Sequence, residues 1–124
     1  MITNFSVGQV WTYKTRAGEL NSRITIVRLD DDPEYGNIIH IHISNIEIEN
    51  ANAPGGKTTY IAHMPFMEDA LAECVEQIEN ESAELPDYQE GHQLWRTAFE
   101  NGEAGVFSVT VAEAIDGVAE TIGE

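Results

Sequence analysis

Residues 37–49, Asn-Ile-Ile-His-Ile-His-Ile-Ser-Asn-Ile-Glu-Ile-Glu, carry the longest strand signal in this chain of 124 residues. Ile39, Ile41 and Ile43 fall on one side of an extended backbone, and His40, His42 and Ser44 on the other. Past Asn45 the apolar residues are Ile46 and Ile48, which an unbroken strand would place with the histidines. One extra residue near Ser44-Asn45 returns all five isoleucines to a single face, so a β-bulge or a sharp bend is expected there. His40, His42, Glu47 and Glu49 would then share the opposite, wetter face.

Toward the N-terminus, Gln9–Arg16 alternates with aromatic enrichment, and Ala17-Gly18-Glu19 supplies a turn. Ser22–Leu29 resumes a period of two until Asp30-Asp31-Asp32-Pro33 interrupts it, because proline lacks a donor and like charges repel. Toward the C-terminus, Asn50–Thr59 reads as a loop and Tyr60–His63 as a short fourth strand. From Met67 the period becomes helical. Met67, Leu71, Cys74, Val75 and Ile78 form one stripe, with Glu68, Asp69, Glu73, Glu76 and Glu79 covering the rest. A second helix is expected from Asp87, where Glu90 completes a capping box. Its stripe is Tyr88, Trp95 and Phe99, and Gly102 its stop. Gly91 inside it costs roughly 1 kcal/mol relative to alanine. The last helix has a capping box at Thr110–Glu113 and a stripe of Val111, Ala114, Ile115, Val118 and Ile122, with Val106-Phe107 before it as a brief edge strand.

These patterns predict a single α+β domain over residues 1–124, an antiparallel three- or four-stranded meander packed against about three helices. Neither half is large enough to bury a core alone.

Charge narrows the function more than any motif does. The chain has 22 acidic and 6 basic residues, a formal net charge of −16. Residues 1–28 hold four cations against one carboxylate, whereas residues 29–124 hold two against 21. Binding to nucleic acid or to an anionic membrane surface needs a Lys/Arg face, so neither is expected. A lone cysteine, Cys74, no signal segment and no long apolar run make the cytoplasm the expected compartment.

Catalytic patterns are few. Gly56-Lys57-Thr58 lacks the earlier glycine of a phosphate loop and is followed by a β-like segment containing Pro65. Cys74 lies on an apolar stripe, where a thiol is inert. No catalytic residue and no cofactor are assigned. The one pattern with ligand chemistry is His40-x-His42, two imidazoles on one strand face, which begins many transition-metal sites. His63, Glu47 and Glu19 are the candidates for a third ligand. Nearby carboxylates would raise the pKa of these imidazoles if they are exposed.

The stretch Val7-Gly8-Gln9-Val10-Trp11-Thr12-Tyr13-Lys14-Thr15-Arg16, with Glu19 and Ser22, resembles the opening of a family of small bacterial proteins without an assigned activity. Ile39-His40-Ile41, His63-Met64-Pro65 and Gly105-Val106-Phe107 resemble later segments of that family. The resemblance implies a stand-alone bacterial cytoplasmic protein and carries over no site residue.

Two function classes follow. The first is a non-enzymatic acidic binding module, of the immunity or inhibitor type, engaging a basic protein partner through Glu68, Asp69, Glu73, Glu76 and Glu79. Residues 68–103 hold 11 carboxylates and one arginine, a field that speeds encounter with a cation-rich surface. The second is a small metal-dependent enzyme or metal-binding protein using His40, His42 and His63. A homodimer joined by sheet edges or by the Trp11/Tyr13 side is a third reading.

Overall fold

The computed structural model describes residues 5–122 of the chain. Strands β1 (Val10–Tyr13), β2 (Arg23–Asp32) and β3 (Gly36–Ser44) form the expected antiparallel meander. β4 (Ile48–Glu49) and β5 (Lys57–Thr58) pair with each other around a short 3-10 turn at Pro54–Gly56. β6 (Ile61–Met67) adds to the outer side of β3, α1 (Glu68–Cys74) follows directly, and β7 (Val75–Asn80) adds to the outer side of β1. Helices α2 (Gln89–Glu100) and α3 (Val111–Ile122) complete the chain. The main sheet has the order β6-β3-β2-β1-β7, antiparallel throughout, and the fold is α+β. Among the described residues no helix is long and apolar enough to cross a membrane.

The isoleucine pattern of residues 37–49 sets one side of this sheet. Ile39, Ile41, Ile43, Ile46 and Ile48 all join one buried cluster with Ile24, Ile26, Met64 and Phe66. Each such side chain contributes roughly 1.5–3 kcal/mol when removed from water. The bend that unites the five isoleucines lies at Asn45, whose φ of 54° is left-handed, a conformation that asparagine tolerates better than other side chains. Leu71 and Cys74 of α1 and Val111, Ala114 and Ile115 of α3 close this core. The start of α3 is capped as expected. Thr110 Oγ1 accepts from the Glu113 amide at 3.1 Å, while Glu113 Oε1 accepts from the Thr110 amide at 3.3 Å. Phe107 forms a bridge to Phe66 just before it.

Three elements differ from the sequence reading. The helix that starts at Glu68 ends at Cys74, and Val75–Asn80 is a strand. Trp11 pairs with Ile78 and Tyr13 with Val75, so the open backbone of the β1 edge competes successfully with the helical period. Both competing residues are β-branched and suit a pleated surface. The acidic helix face is accordingly divided: Glu68, Asp69 and Glu73 lie on α1, and Glu76 and Glu79 on β7, where Glu79 pairs with Arg23 at 2.7 Å. Asp30–Asp32 does not break β2. Asp32 Oδ2 instead accepts from the amides of Glu34 and Tyr35, both at 2.9 Å, and organises the turn into β3. Finally, α2 starts at Gln89 without a side-chain cap, so the Asp87 box is not formed.

A consequential irregularity sits in β2. Its register with β3 shifts between Ile26 and Arg28, so that Ile26 opposes Ile41 but Arg28 opposes His40 and Asp30 opposes Ile38. The bulge at Val27 thus turns Arg28 and Asp30 onto the face opposite the isoleucine core. That second face is covered by α2, whose Trp95 packs on His40 at a ring separation of 5.1 Å and on His63 at 5.8 Å.

The left-handed turn at Asn45 makes a stability prediction. Replacing Asn45 with valine should cost about 1–2 kcal/mol, whereas glycine should be close to neutral. Denaturant midpoints of the two variants check this.

Candidate metal centre

His40 is fully buried in the middle of β3, with 0% of its surface exposed. An imidazole placed there needs partners for both ring nitrogens. The bulge in β2 supplies the first: Asp30 Oδ2 lies 2.8 Å from His40 Nε2. β6 supplies the second: Pro65 opposes His40 in register, and His63, two residues earlier on the same face, brings its Nε2 within 2.7 Å of His40 Nδ1. An ionised carboxylate only accepts, so His40 donates from Nε2 to Asp30 and accepts at Nδ1 from His63. Arg28 Nε donates to the same carboxylate at 3.0 Å.

The third imidazole comes from α2. His92 follows Gly91, and a Cβ built on Gly91 would sit 3.1 Å from His63 Cβ. Glycine at this position therefore lets α2 lie close against β6, which accounts for a helix-interior glycine that lowers intrinsic helicity. The His92 ring stands edge-on to His40 at 5.0 Å. Its Nε2 is buried, has no hydrogen-bond partner, and lies 3.8 Å from Asp30 Oδ2, beyond bonding length. The ligand atoms of Asp30, His40 and His92 all fall within 4.8 Å of one another. Trp95 roofs the group and stacks in turn on Phe99 at 4.7 Å.

Burial decides the charge state of these rings: His40 is not exposed, so the upward shift expected of an exposed imidazole does not arise. Desolvation pushes His40 down to about 4, with Asp30 opposing, and His63 down to about 3, reinforced by His40 and His92. His92 is lowered for the same reason. For Asp30, burial raises the carboxyl, but His40 and Arg28 outweigh it and hold it below the ordinary range. The cluster at neutral pH is three neutral imidazoles around one carboxylate.

Of the residues singled out in the sequence, the structure brings His40 and His63 together and leaves His42 apart. His42 stacks on Tyr60 at 5.7 Å, its own Nδ1 also buried without a partner, and contributes nothing to the cluster. Glu19 and Glu47 are also elsewhere: Glu19 accepts from Arg16 at 2.7 and 2.8 Å and from the Glu47 amide at 2.8 Å, and the Glu47 carboxylate pairs with Lys57. Asp30 and His92 were not candidates. His92 was within reach, since it lies between Tyr88 and Trp95 on the stripe read for α2. Asp30 was not, because an unbroken period of two puts it with Ile24 and Ile26.

No family model, no curated protein and no solved structure matches this chain. The site therefore rests on its own geometry.

Neutral burial has a pH signature. The unfolded chain protonates its histidines near pH 6.5, whereas folded His40 resists to about 4 and His63 to about 3. The unfolded state thus binds more protons in this window, so stability is complete above about pH 6.5 and declines as the pH falls toward about 4. Relief of carboxylate repulsion acts in the opposite direction, so the comparison is with His63→Gln, which keeps the net charge. Between about pH 7.5 and pH 5, the denaturation midpoint of the parent, in chelator, should fall more than that of the variant. Parallel profiles would contradict neutral burial.

Proposed function

We propose that this protein binds a transition-metal ion, zinc being the best match, through Asp30 Oδ2, His40 Nε2 and His92 Nε2. The observation that carries the reading is the buried His92 Nε2 with no partner, directed at a carboxylate that is already hydrogen-bonded to a second imidazole. Ligand atoms around a tetrahedral zinc with bonds near 2.0 Å stand about 3.3 Å apart. Two of the three present separations, 2.8 and 3.8 Å, bracket that value, and the ligand atoms of the three residues lie within 4.8 Å of one another. Two imidazoles and one carboxylate suit zinc, and three protein ligands leave a fourth position for water or a bound group.

His63 has a supporting role in this reading. Ligation through His40 Nε2 requires that nitrogen to give up its proton, leaving the tautomer protonated at Nδ1. His63 Nε2, 2.7 Å away, then accepts from His40 Nδ1 instead of donating to it. A partner on the far nitrogen of a ligating histidine fixes its orientation and raises its basicity.

Calorimetric titration of untagged protein with zinc tests the proposal. The expected result is one equivalent bound, with affinity reduced at least about tenfold in Asp30→Asn and His92→Ala and unchanged in His42→Ala. Protein that takes up no zinc, or a His92→Ala variant that binds as the parent does, would overturn it.

A second reading, an acidic surface for a basic protein partner, is supported by the exposed Asp69, Glu73 and Glu76. The salt bridges of Arg16, Arg23, Arg28, Lys57 and Arg96 are all made to other residues. Association with such a partner should weaken steeply with salt and with the triple change Asp69→Asn, Glu73→Gln, Glu76→Gln. Complex formation indifferent to ionic strength would remove this reading.

A further inference from the structure

Beside the three proposed ligands lies a cleft of about 570 Å³, bordered by Arg28 and Asp30 of β2 and by Tyr88, His92, Gln93 and Arg96 along α2. Asp30 and His92 thus belong both to the proposed metal centre and to the cleft wall. Two of the chain's 6 basic residues meet here. Arg96 is the only cation after Lys57 in the sequence, in a region otherwise dominated by carboxylates.

Neither guanidinium is used up by the protein. Arg28 donates to Asp30 from Nε, and among the described residues its two terminal nitrogens make no hydrogen bond. Arg96 stands 3.8 Å from Glu100, too far for a hydrogen bond, and rests over the Phe99 ring at 5.7 Å. The first turn of α2 has no side-chain cap, and its cap residue Tyr88 lines the same cleft, although Glu90 in that turn offsets the field the helix end offers an anion.

From this geometry we infer that the cleft binds a small molecule bearing a phosphoryl group, with one oxygen on the metal ion and others on Arg28 and Arg96. The inference rests on the metal reading and extends it. A tetrahedral phosphoryl group presents three oxygens, one for each of these three partners, whereas a carboxylate presents two. Arginine matches such oxygens with its planar fork of donors. The charges also tie the two ligands together. Arg28 and Arg96 are balanced by Asp30 and by Asp31, which borders the same cleft. Glu100 beside Arg96 brings the local sum to −1 without the ion, and a divalent ion turns it positive. Anion binding therefore depends on the metal, and by linkage the anion tightens the metal by the same factor.

The test is calorimetric titration of the untagged full chain with zinc, alone, with methylphosphonate, and with acetate. Saturating methylphosphonate should tighten zinc binding by about tenfold, acetate by no more than about threefold, and Arg96→Gln and Arg28→Gln should each reduce the methylphosphonate factor to about twofold. Using the ratio of affinities within each variant removes any direct effect of Arg28 on Asp30. Zinc that binds equally with and without methylphosphonate overturns the inference and leaves the metal reading standing. An equal response to acetate, or a full response in Arg96→Gln, also overturns it. Failure of zinc to bind under any condition removes both.

Discussion

Burying His40 at the centre of a sheet imposes a requirement that organises the whole second face of this protein. A buried nitrogen left without a partner costs about 1–3 kcal/mol, and an imidazole has two. Both are satisfied laterally, by Asp30 on one neighbouring strand and His63 on the other, at 2.8 and 2.7 Å. β2, β3 and the edge strand β6 are therefore joined by side chains as well as by their backbone ladders. α2 must then shield the assembly from water, and it does so with Trp95 above and Gly91 pressed against His63. The isoleucine face needs only apolar cover, whereas the histidine face needs particular residues at particular heights.

A row of hydrogen-bonded histidines also serves as a structural device, a polar layer that fixes strand register. That description covers Asp30, His40 and His63. It does not cover His92, whose Nε2 is buried beside the carboxylate without bonding to it. Nor does it account for the cleft that Asp30 and His92 line together with Arg28 and Arg96. In the proposed reading a coordinated ion would give the buried His92 Nε2 a partner. Burial contributes too, since imidazoles held neutral keep their lone pairs available to a metal.

How much of this was legible in the sequence depended on whether local pattern or tertiary competition fixed each element. The five isoleucines and the bend after Ser44 could be read directly, because a one-residue slip would have exposed half of them. The α3 cap could be read because its donors and acceptors lie within four residues. β7 could not, since the helical stripe through Val75 and Ile78 is real and lost only to the free edge of β1. The site divided along the same line. His40 and His63 were visible as polar residues on a strand face, and their convergence followed from pairing of β3 with β6. Asp30 depended on the bulge at Val27, which leaves no mark in a period-two reading. His42 misled because alternate residues on one strand share a face yet stand nearly 7 Å apart.

The position of β7 carries one more implication. It is the outermost strand on its side of the sheet, and its residues Glu76–Asn80 are exposed. An uncovered edge of this kind is an invitation to strand-by-strand polymerisation, and fixed like charge is one of the ways in which proteins decline it. Here Glu76 furnishes that protection, since Glu79 is paired with Arg23, and the anionic surplus of the whole molecule backs it. That surplus vanishes near the isoelectric point of about 4.3, where net charge no longer keeps the bare borders of neighbouring molecules apart.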